Sequence, residues 1–349
     1  MSRMTFKTGS LALLLTLISA CTLSNAATTS TDYATNPKVQ AFIGEMVTRH
    51  DFNREELTRL FSQVQRREDI LELMRKPAEK TLEWHEYRKI FLTQSRIEGG
   101  VAYWKKNAAI LDRAAASLSV DPQIIVAIIG VETRYGGNTG RHRVMDALST
   151  LAFDYPPRAS FFRGELEQYL LLARENNLDL LGTTGSYAGA MGYGQFIPSS
   201  YRAYAVDFDD DGKRDLWGSP DDIIGSVANY FHRHGWEPGG PVTIPATVSG
   251  SRYRKILKRG YKPNTALGTM RHDGITPARP MPDDLPAALL SFEMKDGPEY
   301  WIGFNNFYVI TRYNHSPLYA MAVYQLSEEI RESHEQNLQL SYEYARACT

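Results

Sequence analysis

Three stretches of this sequence hold residue types that can do chemistry. The first ends in Glu132, preceded by Ile124, Ile125, Val126, Ile128, Ile129 and Val131. This places its carboxyl in poorly solvated surroundings near the C-terminal end of a buried helix. Burial disfavours a carboxylate, and the helix dipole opposes negative charge at that end. Both effects favour a carboxylic acid that survives near neutral pH and can hand a proton to an oxygen leaving group. The bland alternative is a structural ion pair with Arg134. The second stretch is Ser186-Tyr187-Ala188-Gly189-Ala190-Met191-Gly192-Tyr193-Gly194-Gln195-Phe196-Ile197-Pro198. Its glycines let backbone approach a ligand closely, while Ser186 and Gln195 offer uncharged hydrogen-bonding groups. It is not a phosphate-binding loop, because no Gly-Lys-Ser/Thr ends it. Tight helix packing would also account for it. The third stretch is Asp207-Phe208-Asp209-Asp210-Asp211-Gly212-Lys213-Arg214-Asp215. It opens as an EF-hand loop does, with Asp207, Asp209 and Asp211 at positions one, three and five. Gly212 follows at six, the main-chain carbonyl of Lys213 at seven and Asp215 at nine. Gly218 stands where the closing Glu belongs. Clustered hard oxygens suit Ca2+, here a structural staple between two helices rather than part of the chemistry. The alternative is a solvated acidic turn.

The elements that must position these residues are mostly helical. Val39, Phe42, Ile43 and Met46 share one helix face; Leu57, Leu60, Phe61 and Val64 repeat the spacing, as do Ile70, Leu71 and Met74. Pro77 interrupts, and a long amphipathic stretch carrying Trp84, Tyr87, Phe91 and Trp104 covers 80–118. Asp121-Pro122 then reads as an N-cap with Pro at the first helical position. The apolar run leading to Glu132 follows, and Gly136-Gly137 stops it. Further helices are expected over 142–153, 158–176, 197–205 and 221–235. From 236 to 300, Pro and Gly rise and Val242 to Val248 alternates, which reads as a small β-rich unit. A final helix is expected over 316–334.

Val131-Glu132-Thr133-Arg134-Tyr135-Gly136, followed by Gly189-Ala190-Met191-Gly192-Tyr193-Gly194-Gln195-Phe196, resembles the membrane-bound lytic murein transglycosylase B family. Asn229-Tyr230-Phe231 and Phe307-Tyr308-Val309-Ile310-Thr311-Arg312-Tyr313-Asn314 extend the resemblance over nearly all of 35–340. It implies an α+β, mainly α fold: a lysozyme-like catalytic core with an added helical domain and a small β domain. The expected organisation is a signal peptide (1–20), a tether (21–35), a helical domain (36–115) and a catalytic core with the acidic loop (116–235). A small β-rich domain (236–300) and a C-terminal segment returning to the helical parts (301–349) complete it. The resemblance implies cleavage of the β-1,4 bond between N-acetylmuramic acid and N-acetylglucosamine in peptidoglycan, leaving 1,6-anhydromuramyl ends. Glu132 matches the family's single catalytic glutamate, acid first and base afterwards. Ser186 and Gln195 match residues that contact substrate near the scissile bond. Tyr87, Tyr230, Tyr313 and Tyr319 match aromatic groove residues, and Asn314 matches one that stabilises positive charge at C1. For each tyrosine the alternative is a packed core residue with its hydroxyl satisfied. The family closes its lengthened metal loop with a later Asp, for which Asp222 fits best by its neighbours and Asp221 is the rival. Two-carboxylate glycosidases need a second acid beside the scissile bond. None lies between 186 and 206, and Asp154 is a distant candidate. A hydrolase of the same bond and a non-catalytic peptidoglycan-binding lipoprotein are the alternatives.

The bulk numbers agree with a soluble globular body. Of 349 residues 43% are hydrophobic and 23% charged, enough apolar material for a sizeable core. A net charge of -1 gives no basic field for nucleic acid. Tyrosines number 20, and Tyr offers the flat face and hydroxyl that sugar binding uses. At the N-terminus, Arg3 and Lys7 precede an apolar run, Leu11 to Ile18, that is too short to span a bilayer. Ile18-Ser19-Ala20-Cys21 resembles a lipobox, which implies cleavage before Cys21 and lipidation of its thiol. Thr22 rather than Asp after it fits outer-membrane sorting. The expectation is an outer-membrane lipoprotein facing the periplasm, touching the membrane through its lipid anchor only. It is further expected to be a monomer that binds glycan strands and has no organic cofactor. Cys348 is left without a role.

Overall fold

The computed structural model describes residues 33–75 and 82–347. The signal segment, Cys21, most of the tether and Cys348 lie outside the described residues. The last tether residues do not hang free: Tyr33–Thr35 form a 3-10 turn. Tyr33 is fully buried and its hydroxyl donates to Asp154 Oδ2 at 2.5 Å.

The first layer comprises α1 (Pro37–His50), α2 (Arg54–Phe61) and α3 (Glu68–Met74). Asn36 and Asn53 cap the first two, accepting from the amides of Lys38 and Glu56. The 80–118 stretch is three helices, α4 (Trp84–Phe91), α5 (Gln94–Lys106) and α6 (Ala108–Leu118). The α5/α6 break falls at Asn107, whose side-chain amide donates to the Tyr103 carbonyl at 2.9 Å. That bond competes with the helical ladder.

Next comes α7 (Pro122–Thr133), buried on every side up to Val131. Asp121 occupies the N-cap position without capping; its carboxylate instead accepts from Trp236 Nε1 at 2.8 Å. The helix also ends earlier than the glycine pair suggests. Arg134, Tyr135 and Gly136 are left-handed in succession, with φ of 52°, 59° and 90°. Two of these are non-glycine residues, a conformation that costs of order 1–3 kcal/mol each and concentrates at functional sites.

The ladder β1 (His142–Arg143) with β2 (Thr184–Gly185) brackets α8 (Val144–Asp154) and α9 (Ala159–Asn176), and α10 (Pro198–Tyr204) and α11 (Pro220–Arg233) follow. Prolines open α7, α10 and α11, where their missing N–H costs nothing.

The β unit contains β3 (Thr243–Val248), α12 (Tyr253–Leu257), β4 (Thr265–Ala266), α13 (Leu267–His272), β5 (Ile275–Pro277), β6 (Pro286–Met294) and β7 (Gly297–Gly303). Its strands pair antiparallel in the order β4-β6-β7-β3-β5. β6 is buried on both faces. Ala288, Leu290 and Phe292 join the large helical core, while Ala287 and Leu289 join the sheet's own core with Ile244, Met270 and Ile302. Phe292 meets Trp84 of α4 at 5.5 Å, which ties the sheet to the helical layer. The chain then returns through α14 (Asn305–Tyr313) and α15 (Pro317–Ala347). α15 runs well beyond the expected end near 334 and packs against α4, α5, α7 and α14. Among the described residues no single helix is long and apolar enough to cross a membrane.

Candidate active site

Glu132 sits in the last turn of α7, half-buried where the rest of the helix is covered. α15 supplies its partner: the Tyr319 hydroxyl donates to Glu132 Oε1 at 2.5 Å. Tyr319 is 3% exposed. Burial first, and then the charge of Glu132, push its hydroxyl well above the ordinary tyrosine range. It therefore stays protonated and can act on Glu132 only as a donor. Tyr313 is raised in the same way, by burial, then Glu132, then Tyr230. Among the described residues Glu132 is the one carboxylate that acts on Tyr313. Asp154 is committed elsewhere, to Tyr33 and Arg66.

The glycine-rich loop meets the end of α7 directly. The Thr133 hydroxyl lies 3.0 Å from the Tyr193 carbonyl and accepts from the Gly136 amide at 3.1 Å. A Cβ at Gly136 would stand 2.0 Å from the Tyr193 ring, so glycine is required both for its φ and for this approach. Gly189 and Gly192 correct the sequence reading. Their Cβ positions are filled by Leu148 and by Leu216, so their smallness serves protein packing rather than close approach of a ligand. Ser186 Oγ accepts from the amides of Ala190 (3.0 Å) and Ala188 (3.3 Å), which fixes the loop and leaves the hydroxyl proton to give. Gln195 has a positive φ of 49°. Its side-chain nitrogen is anchored to the carbonyls of Gly192 (2.9 Å) and Thr139 (3.1 Å).

The C-terminal return brings in the remaining residues. The Tyr313 hydroxyl donates to the Gly194 carbonyl at 2.5 Å, which locks α14 to the loop. Asn314, just past α14, accepts from Ser316 N through Oδ1 at 3.1 Å and so keeps its amide nitrogen available. Tyr87 of α4 is buried between Trp84 and Phe91, close enough to Tyr319 to act on its hydroxyl. Tyr230 takes the packed form. It is 6% exposed, gives its hydroxyl to the Arg312 carbonyl at 2.6 Å, and lies against Tyr204, His234 and Tyr313. It backs Tyr313 rather than offering an open face. Sequence reasoning missed Thr133, which joins α7 to the loop, although it directly follows Glu132. It also missed Tyr193, whose ring forces glycine at 136.

The acidic loop lies apart from Glu132, between α10 and α11. Carboxylate oxygens of Asp207, Asp209 and Asp211 fall within 4.8 Å of one another. Unscreened charges that close repel, and main-chain amides of 211, 212 and 213 point at them. This donor set of hard oxygens fits a divalent cation. Asp222 is not a member of that cluster. It is fully buried, and its two oxygens each accept an amide at 2.7 Å, from Phe208 and Asp215. It thus holds both arms of the loop, next to the three clustered aspartates. Burial, and after it the neighbouring Asp209 and Asp207, push its pKa up. The rival Asp221 turns away to Arg113 at 2.5 Å. Asp215 is used by the amides of Trp217 and Gly218.

With this geometry in place, comparison with known proteins is decisive. Residues 34–328 match the transglycosylase SLT domain family model. The chain is 46% identical over 308 residues to the membrane-bound lytic murein transglycosylase B of Escherichia coli (strain K12), covering 86% of this chain and 84% of that one. The soluble lytic transglycosylase SltB1 of Pseudomonas aeruginosa superimposes with a TM-score of 0.81 at 51% identity, covering 86% of this chain and all of that one. The E. coli lytic transglycosylase SLT35 in complex with calcium has a TM-score of 0.79 at 45% identity, covering 87% and 95%. A half-buried glutamate clasped by a tyrosine, a glycine-rich loop bonded to its helix and this degree of similarity lead to one conclusion: the chain belongs to the lytic murein transglycosylases, enzymes that cleave peptidoglycan.

Proposed function

We propose that this enzyme cleaves the β-1,4 bond between N-acetylmuramic acid and N-acetylglucosamine and leaves a 1,6-anhydromuramyl end, using Glu132 alone for proton transfer. The observation that carries this reading is the tyrosine setting of Glu132, the one carboxylate among the described residues that acts on both Tyr313 and Tyr319. Glu132, protonated, gives its proton to the glycosidic oxygen as the C1–O bond breaks. The muramyl C6 hydroxyl then bonds to C1, and its proton returns to Glu132. Bonds and protons balance without water. A hydrolase would need a second carboxylate to activate water, and Asp154 is engaged by Tyr33. Tyr319 holds the Glu132 carboxyl in one orientation. Ser186 and Gln195 fix the sugar beside it, and the Asn314 side chain faces the positive charge growing at C1. Tyr313 shapes the groove, with Tyr230 packed behind it and Tyr87 packed beside Tyr319.

Calcium, which the SLT35 structure contains, is the ion we assign to the acidic loop. Asp207, Asp209 and Asp211 would hold it with the Lys213 carbonyl, and Asp222, which neighbours them, would close the loop. Its contribution is structural. We further assign lipidation to Cys21 and residence at the periplasmic face of the outer membrane.

Mass spectrometry of products from purified peptidoglycan tests the chemistry. Anhydromuramyl ends support the reading. Reducing muramyl ends, heavier by one water, would replace it with hydrolysis.

A further inference from the structure

Just beyond the catalytic helix, a cavity of about 290 Å³ is lined by Ile90, Thr93, Ser95, Arg96, Gly99, Arg134 and Tyr135. Its polar groups are all donors or hydroxyls. Arg96 is 7% exposed, gives Nη1 to the Ile90 carbonyl at 2.7 Å, and has its Nε without any partner. No carboxylate among the described residues forms an ion pair with Arg96 or Arg134. The two cations are near enough that Arg134, after burial, lowers the pKa of Arg96. Two like charges, one buried, in one cavity without an acid form an arrangement that folding alone disfavours. The cavity also receives the N-terminus of the 13-residue α5. Thr93 makes no side-chain cap there, and the first turn holds no acidic residue, so the positive end of the helix dipole at this end has no acidic side chain of its own helix against it. The hydroxyls of Thr93 and Ser95 stand 3.3 Å apart at its rim. Tyr135 fixes the floor, packing into the notch left by Gly99, Gly100 and Gly130 and donating to the Arg96 carbonyl at 2.7 Å.

We propose that this cavity binds a carboxylate of the peptide carried by the muramyl residues of the substrate. The inference rests on the peptidoglycan reading above. In an N-acetylated glycan the sugars are neutral, so the negative charge a guanidinium pair could select lies on the peptide. Arg134 is two residues from Glu132, so an anion held there would fix the strand's register relative to the scissile bond. Arg96 and Arg134 are positioning and specificity residues, not catalytic ones.

The test compares glycan strands whose peptide carboxylates are free with strands whose peptide carboxylates are capped as methyl amides, using wild type and Arg134→Gln. Arg134 is exposed, so the variant should fold, and circular dichroism checks that it does. We expect the ratio of kcat/KM for free-carboxylate over capped strands to fall about tenfold in the variant. The change should sit in KM, and the wild-type preference should shrink as salt is raised. An unchanged ratio, or equal loss on both substrates, overturns the proposal. Competition by sulfate at an unchanged ratio would show a site for free anions and overturn the peptide assignment. Wild type that releases no product from either substrate would defeat the peptidoglycan reading itself, a result distinct from failure of the site.

Discussion

Replacing Tyr319 with Phe removes one oxygen and leaves the ring. In the structure that oxygen stands 2.5 Å from Glu132 Oε1 and is buried with its ring. The carboxylate formed after proton donation therefore loses a donor that water cannot readily replace. Hydrogen bonds to charged groups contribute about 1.5–3 kcal/mol. If the bond is fully felt once Glu132 has given up its proton, kcat should fall roughly 10- to 150-fold, with little change in KM. The assay is initial-rate release of soluble muropeptides from purified sacculi, with melting temperature measured alongside. Stability should fall modestly, because Glu132 Oε1 loses its buried donor. A double-mutant cycle sharpens the test. In a Glu132→Gln background, where turnover is undetectable, the cycle is read in melting temperature and glycan binding, and the coupling of Tyr319→Phe to Glu132 is the difference between its effects in the two backgrounds. A single variant within twofold of wild type, folded and binding glycan, would refute the reasoning and reduce Tyr319 to packing.

Four further outcomes follow from the same geometry. Glu132→Gln should retain fold and glycan binding while turnover becomes undetectable; substantial residual cleavage in the product assay would refute its role as acid and base. Chelation should lower the melting temperature without directly removing chemistry; calcium at about 100 times its Kd would return about 2.7 kcal/mol, and calorimetry with and without the ion reads this. Gly136→Ala combines a Cβ 2.0 Å from the Tyr193 ring with a φ of 90°, so it should cost roughly 2–5 kcal/mol and weaken activity through the loop, both measurable by denaturant titration and rate. Burial holds His142, His234 and His334 below the ordinary histidine range. The unfolded chain then takes up protons first, so stability is full above about pH 6.5 and falls as pH drops through that value; a flatter melting-temperature profile for His234→Gln would identify its share.

The sequence made local features readable and left distant partnerships hidden. The aliphatic run before Glu132 announced a buried helix because every position is apolar, and α7 is that helix. Its end was misread. Gly136-Gly137 is the conventional stop, yet Arg134 and Tyr135 already turn left-handed, held by the Thr133 hydroxyl and by the glycine notch that receives Tyr135. Neither restraint shows in local propensity. The 80–118 pattern was amphipathic throughout, and periodicity does not register a break set by one Asn107 side chain. In the acidic loop the alternating aspartates were legible, whereas the way Asp222 braces both arms of the loop was not. Its burial and two amide partners come from how α11 folds back on the loop.

The catalytic setting carries this division furthest. Glu132 takes a hydroxyl donor from far away in the chain. The donor comes from α15, 187 residues downstream, and α15 can deliver it because its length lets it pack on α4, α5 and α7 together. The same return places Tyr313 on Gly194, so one C-terminal segment sets both the glutamate and the loop opposite it. Damage to the α14–α15 junction should therefore disable chemistry while leaving the hydrophobic core of α7 intact. Ser316→Pro provides the case: it deletes the amide that bonds Asn314 Oδ1 and disturbs the approach of Tyr319 without touching Glu132. Loss of turnover with a cooperative melt would support this division of labour. Turnover near wild type would mean that the loop and α7 orient Glu132 by themselves.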